Sequence, residues 1–157
     1  MQNTILGKGV WGLAIGQALQ ERGHTVSWLE KGESDIPAKT DLLWVALPTQ
    51  SVHECCMKLR GWKSGVPVIS LSKGIEVSTG KRVSEIVASV FPQSPLAALS
   101  GPSLAGEVMK KIPTALVVAS QNKDLAASVQ KELHGPGLRM YRSHDLIGVE
   151  VLYYLYN

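Results

Sequence analysis

The sequence predicts an α/β fold, a doubly wound and mostly parallel sheet with helices on both faces, and three observations carry that expectation. Short apolar runs alternate with longer amphipathic segments along the whole chain, the pattern of parallel strands joined by helices. Most of these runs are apolar at consecutive positions, as a strand requires when both of its faces are covered. The first run ends in a glycine-rich turn, GKGVWG over residues 7–12, that opens into a helical pattern. Right-handed crossovers then wind the sheet in two directions.

The elements follow in order. Thr4 to Leu6 is the first predicted strand, and Trp11 to Arg22 the helix behind it. Thr25 to Leu29 is the second strand. After it, EKGESDIPAKTD at 30–41 occupies the place of a helix, but Gly32 and Pro37 leave room only for a loop. Further strands are predicted at Leu42 to Leu47, Pro67 to Leu71, Leu96 to Leu99, Thr114 to Ala119 and Leu138 to Tyr141. The intervening helices are predicted at Ser51 to Leu59, Gly80 to Val90, Ser103 to Lys110 and Lys123 to Leu133, with a last one at Asp145 to Leu155.

A chain of 157 residues suits one domain, here spanning 1–157, and 45% apolar with 18% charged residues is ordinary for a globular core. The net charge of +3 is scattered rather than gathered in a basic stripe, which argues against nucleic acid. Apolar runs fall far short of the roughly 20 residues that cross a bilayer, so no integral membrane segment is expected. The amino terminus is broken by the glycine turn too early for a signal peptide, and the expected location is cytoplasmic. Cys55 and Cys56 are adjacent, a strained geometry for a disulfide, and read as reduced thiols on a helix. The four histidines make no ligand spacing, and no metal is expected.

A GxGxxG between strand and helix lets the chain turn at Gly7, admits a pyrophosphate to the backbone at Gly9, and packs helix on strand at Gly12. Free amides at the helix N-terminus hold the anion. Such a site places a carboxylate at the end of the next strand for the adenosine ribose, and Glu30 is the candidate. Its neighbour Lys31 could instead meet the extra phosphate of NADP, so NAD and NADP both stay open. In VALPTQSV, residues 45–52, Pro48 and Thr49 stop the third strand at the carboxyl edge, where they either flank the cofactor or simply terminate the strand.

Four stretches in order, GKGVWGLA at 7–14, SLSKGIE at 70–76, LSGPSLAGEV at 99–108 and SHDLIGVE at 143–150, resemble the bacterial NAD(P)-dependent glycerol-3-phosphate dehydrogenase family. The resemblance implies a Rossmann-type cofactor-binding domain that takes NAD or NADP. It implies reduction of dihydroxyacetone phosphate to sn-glycerol 3-phosphate, the precursor for phospholipid synthesis. By the same resemblance Val10 and Trp11 lie on the dinucleotide, Lys73 touches both cofactor and substrate, Gly101 and Ser103 contact substrate, and Ala105 contacts cofactor. The residue types suit those roles. An ammonium at Lys73 polarises a carbonyl or offsets phosphate charge, Gly101 admits a small substrate closely, and Ser103 offers a hydroxyl at a helix N-terminus.

Two departures from the family pattern stand out. Its all-helical second half, which carries the substrate phosphate grip, is absent from these residues. Counting from Gly148, Val149 and Glu150, the family's proton-donating lysine is replaced by Tyr156, a phenol with a pKa of about 10. The bulky tail is the expectation of a shortened chain, and little turnover is expected from this chain alone. Val151 to Tyr156 form an apolar and aromatic run expected to drive self-association. The alternatives are a non-catalytic dinucleotide-binding module and another sugar-phosphate or hydroxyacid dehydrogenase on the same glycine turn.

Overall fold

The computed structural model describes residues 1–30, 32–62 and 65–155, with side chains to residue 151. Strand β1 (Gln2–Leu6) leads through the glycine turn into α1 (Val10–Glu21), and β2 (Thr25–Leu29) returns parallel beside β1. β3 (Leu42–Val45) takes the other side of β1. From there α2 (Thr49–Lys58), β4 (Val68–Ser70), α3 (Val83–Val90) and β5 (Leu96–Ser100) extend the parallel sheet. After the short α4 (Ala105–Met109), β6 (Thr114–Ala119) runs antiparallel to β5. α5 (Lys123–Leu133) then carries the chain to β7 (Leu138–Ser143), parallel to β6, and α6 (Leu146–Leu155) packs on β5 and β6.

The strand order is β2, β1, β3, β4, β5, β6, β7. This is the doubly wound, mostly parallel sheet that the alternation of elements predicts. Winding reverses across β1, so the carboxyl ends of β1 and β3 frame the crevice where open α/β sheets take ligands.

Consecutive apolar residues along the central strands serve two cores. Ile5, Trp44 and Ile69 face α1, α4 and α5, whereas their neighbours Leu6, Leu43, Val45 and Val68 face α2 and α3. Each fully buried Leu, Ile or Val contributes about 1.5–3 kcal/mol, so losing either face would unfold the sheet. Trp44 is wholly buried and satisfies its indole N–H on Asn3 Oδ1 at 2.8 Å. Cys55 and Cys56 are free and buried on α2, and burial pushes the Cys56 thiol up to about 12.

Several boundaries differ from the sequence reading. β3 stops at Val45 rather than Leu47: the Ala46 N–H makes a last bond to Leu6 O at 2.8 Å, and the chain then turns into α2, which begins at Thr49 with Pro48 as its N-cap. α3 starts at Val83 rather than Gly80; Gly80 has φ +69° and belongs to a turn closed by the bridge between Ile75 and Arg82. α4 is only Ala105–Met109, since Leu104 is extended and caps it. β7 runs on to Ser143, with exposed residues alternating along it as befits an edge strand. The loop expected at 30–41 has no helix or strand among its described residues. It is pinned by Thr40 to Thr4 at 2.7 Å and by the Gln2 N–H donating to Asp41 at 2.8 Å.

Candidate active site

The glycine turn is built for close approach. Gly7 has φ +104°, a left-handed conformation that favours glycine, and a Cβ there would strike Ala46 O. Its N–H donates to Leu29 O at 2.8 Å, tying the turn to the end of β2. A Cβ on Gly12 would strike Gly7 O, which is the helix-on-strand packing that the spacing predicts. Gly9 differs: it has an ordinary extended conformation as the N-cap of α1, and a Cβ there would meet nothing within 4 Å. That open space lies over the first amides of a twelve-residue helix with no acidic residue in its first turn. An anion placed there meets the first N–H groups of the helix and no carboxylate from its first turn. The cradle therefore fits a pyrophosphate. Val10, which follows Gly9, is 65% exposed, an apolar side chain left uncovered beside the cradle.

Glu30 follows β2 directly and is exposed, with Lys8 Nζ 3.9 Å from its carboxylate. Glu33 turns back to accept the Glu30 N–H at 2.7 Å. Lys31, the predicted alternative to Glu30, lies outside the described residues.

At the next strand end, Pro48 turns the chain into α2, and Thr49 donates its hydroxyl to Lys73 O at 2.5 Å. Ser72 donates to Leu47 O at 2.6 Å, and Gln50 brackets the same segment through Ile75 O and Val77 N. α2 thus fixes the backbone on which Lys73 stands. The Lys73 ammonium is half-buried, 5.4 Å from the centre of the Trp11 ring, and donates to Gly101 O at 3.3 Å. Burial lowers its pKa below the ordinary lysine value. Trp11, Lys73 and Ser100 line one small recess, which brings together the start of α1, the segment after β4 and the end of β5.

Packing adds a reason for the glycine at 101 and changes the expected setting of Ser103. Gly101 is small because β6 lies against it: a Cβ would sit 2.8 Å from Ala115 O and 2.9 Å from the Leu116 side chain. Ser103 lies two residues before α4 rather than at its first turn, and its buried hydroxyl donates to Ala115 O at 2.7 Å. That bond, rather than a helix dipole, fixes it. Ala105 opens α4 and is buried in the α1 core. Tyr156 lies outside the described residues.

Sequence reasoning missed Lys8, Ser100 and Glu150 as individuals. Ser100 Oγ is buried without a hydrogen-bond partner beside Lys73. Glu150, 4% exposed, takes hydrogen bonds from Ser84 N at 2.8 Å, Ser84 Oγ at 2.5 Å and Arg82 Nη1 at 3.0 Å. Ser100 and Glu150 both fall inside quoted motifs, but their surroundings depend on contacts too distant in sequence to read.

A doubly wound sheet with an anion cradle at the turn after β1 and a half-buried lysine just past the end of β4 defines a Rossmann-type dinucleotide-binding domain of the dehydrogenase kind. Residues 34–126 match the family described as NAD-dependent glycerol-3-phosphate dehydrogenase N-terminus, and the chain belongs to that family. It is 35% identical to glycerol-3-phosphate dehydrogenase [NAD(P)+] of Wolbachia pipientis from Culex pipiens, covering 94% of this chain and 55% of that one. It is 36% identical to the Thermotoga enzyme of the same name, over 96% of this chain and 54% of that one. The crystal structure of glycerol-3-phosphate dehydrogenase from Coxiella burnetii superimposes with a TM-score of 0.86 at 25% identity, covering 95% of this chain and 55% of that one. The chain thus spans about half the length of the curated relatives it matches. The Wolbachia alignment extends over 178 positions, more than the 157 residues here, so that relative carries insertions within the matched region.

Proposed function

We propose that this chain forms the dinucleotide-binding half of an NAD(P)-dependent glycerol-3-phosphate dehydrogenase, acting on dihydroxyacetone phosphate and sn-glycerol 3-phosphate in the supply of phospholipid precursors. The observation that carries the reading is the open cradle over Gly9, with no acidic residue in the first turn of α1, set across β3 from the end of β4 that leads to Lys73. When bound, the nicotinamide supplies or accepts the hydride at the substrate carbonyl carbon. The chain's own residues do the rest. The first amides of α1 hold the pyrophosphate, Gly9, Val10 and Trp11 bed the dinucleotide, and Glu30 addresses the adenosine ribose. Pro48 closes the crevice from β3, and Ala105 does so from α4.

Lys73 faces the reacting end. Its ammonium is poorly solvated and has one recorded acceptor, Gly101 O, so a substrate carbonyl or phosphate oxygen would compete well for it. Gly101 and Ser103 supply the substrate's nearest backbone and hydroxyl. The resemblance puts the proton-donating lysine at position 156, where this chain has Tyr156. That substitution supports a second reading, a module that holds a dinucleotide without chemistry. Tyr156→Lys in a chain completed with a helical second domain separates the two: gained turnover favours the enzyme, continued inactivity the module.

Among the described residues no helix is long and apolar enough to cross a membrane, and a cytoplasmic location is part of the proposal. So is self-association through the run from Val151 to Tyr156, which monomeric light scattering across a wide concentration range would overturn.

The test of the central reading is titration with NADH and NADPH, followed by nicotinamide fluorescence. Saturable binding is expected. Gly9→Ala, whose methyl enters open space, should fold normally yet weaken binding about tenfold or more by blocking the backbone approach. Absence of binding by the parent chain, or a Gly9→Ala variant that binds as well, would defeat the proposal.

A further inference from the structure

The adenosine end of the cradle holds a cation that the glycine pattern does not require. Gly7 N–H donates to Leu29 O, and the next residue on each side of that bond is Lys8 and Glu30. The bond fixes their backbones side by side, and Lys8 Nζ comes within 3.9 Å of Glu30 Oε1. The side chains are 53% and 67% exposed, so the pair is weak and either partner can be taken over by a ligand at little loss.

We propose that Lys8 selects the cofactor: it is the counter-ion for a 2′-phosphate at the ribose position that Glu30 addresses, and it lets this chain accept NADP as well as NAD. The inference rests on the dinucleotide reading above. With a free ribose, Glu30 accepts the hydroxyl hydrogens and Lys8 stays paired to it, leaving the carboxylate fixed and its charge offset. With a 2′-phosphate, Glu30 alone would repel the ligand, and Glu33, whose carboxylate holds the Glu30 N–H, adds a second negative charge to the same turn. Lys8 supplies the ammonium recorded beside Glu30 among the described residues, and rotation about its flexible stem exchanges a carboxylate for a doubly charged phosphate. The glycines flanking it lend no side chain that would hinder the movement.

The experiment is a set of parallel titrations of the parent chain, Lys8→Ala and Glu30→Gln with NADH and NADPH, at low and high salt. Circular dichroism would confirm that each variant is folded. Lys8→Ala should weaken NADPH binding about tenfold and NADH binding less than about threefold, as expected for loss of a charge-assisted contact to one ligand only. Glu30→Gln should act in the opposite sense, weakening NADH and strengthening NADPH. The NADPH affinity that Lys8 contributes should shrink for the parent chain as salt rises. Equal losses for both nucleotides would place Lys8 on the shared pyrophosphate and overturn the selection role. No change in either would overturn it also. A parent chain that binds neither nucleotide would overturn the dinucleotide reading itself, a different failure visible before any variant is compared.

Discussion

The Lys73 ammonium shows how one residue can be legible in kind and opaque in circumstance. SLSKGIE places it at a strand end, but its half-burial over Trp11 and its bond to Gly101 O need β5 and the glycine turn in place. Folding lowers its pKa, so between the folded value and the ordinary lysine value of about 10.4 the unfolded chain binds more protons. Stability therefore rises with pH through that window, and the full burial penalty acts below it. Lys73→Met removes the penalty, and we expect a higher Tm at pH 7, an advantage that disappears once the parent lysine is neutral. NADH binding should weaken in the same variant, a separation of stability from binding that differential scanning and fluorescence would record. A lower Tm at pH 7 would mean that the ammonium is held by more than its burial reveals. Gly101 and Ser103 show the converse: the motif singles out the positions, while their packing depends on β6, which pairs with β5 from the other direction.

Among the elements, strands and long helices were readable because the apolar runs of the central strands feed two cores and the amphipathic segments cover them. Ends were less readable wherever a tertiary contact decided them. α4 is short because Ser103 is bonded to Ala115 O and Leu104 stays extended, and α3 begins late because residues 75–82 form a closed turn. α6 is a stronger example. GVE in its sequence marks a helix, yet the element is held by Glu150, whose carboxylate meets Ser84 and Arg82 at the start of α3. Arg82 is 20% exposed while the Glu150 carboxylate is 2% exposed, so removing the acid leaves the buried Ser84 N–H without its acceptor and takes from Arg82 the more buried of its two carboxylate partners, Glu85 being the other. Glu150→Ala should lose about 3 kcal/mol in urea unfolding, the range for breaking a buried pair. A loss below about 1 kcal/mol would show that the pair behaves as an exposed one.

For the whole molecule, the two cores share a single sheet, and its central strands serve both faces: β1, β3 and β4 each send residues to both cores, while β6 and β7 contribute to the α1 core. Neither helical layer can leave without exposing the other side of the same strands, so unfolding should be one cooperative transition. Far-UV circular dichroism and tryptophan fluorescence test this well, because Trp44 reports the α1 face and Trp62, edge-on to Phe91, reports the α3 face. The two curves should coincide. The dinucleotide cradle joins β1, β2 and α1 through Gly7, so a bound nucleotide should stabilise the complete fold rather than one edge of it. NADH at a hundred times its Kd should add about 2.7 kcal/mol. That corresponds to a rise in Tm of about 5–10 °C for a domain of this size. Coincident curves that move together with NADH would tie the cradle to the global fold. Two separate transitions, or a shift in only one probe, would mean that the sheet is divided and that the glycine turn belongs to a unit that opens by itself.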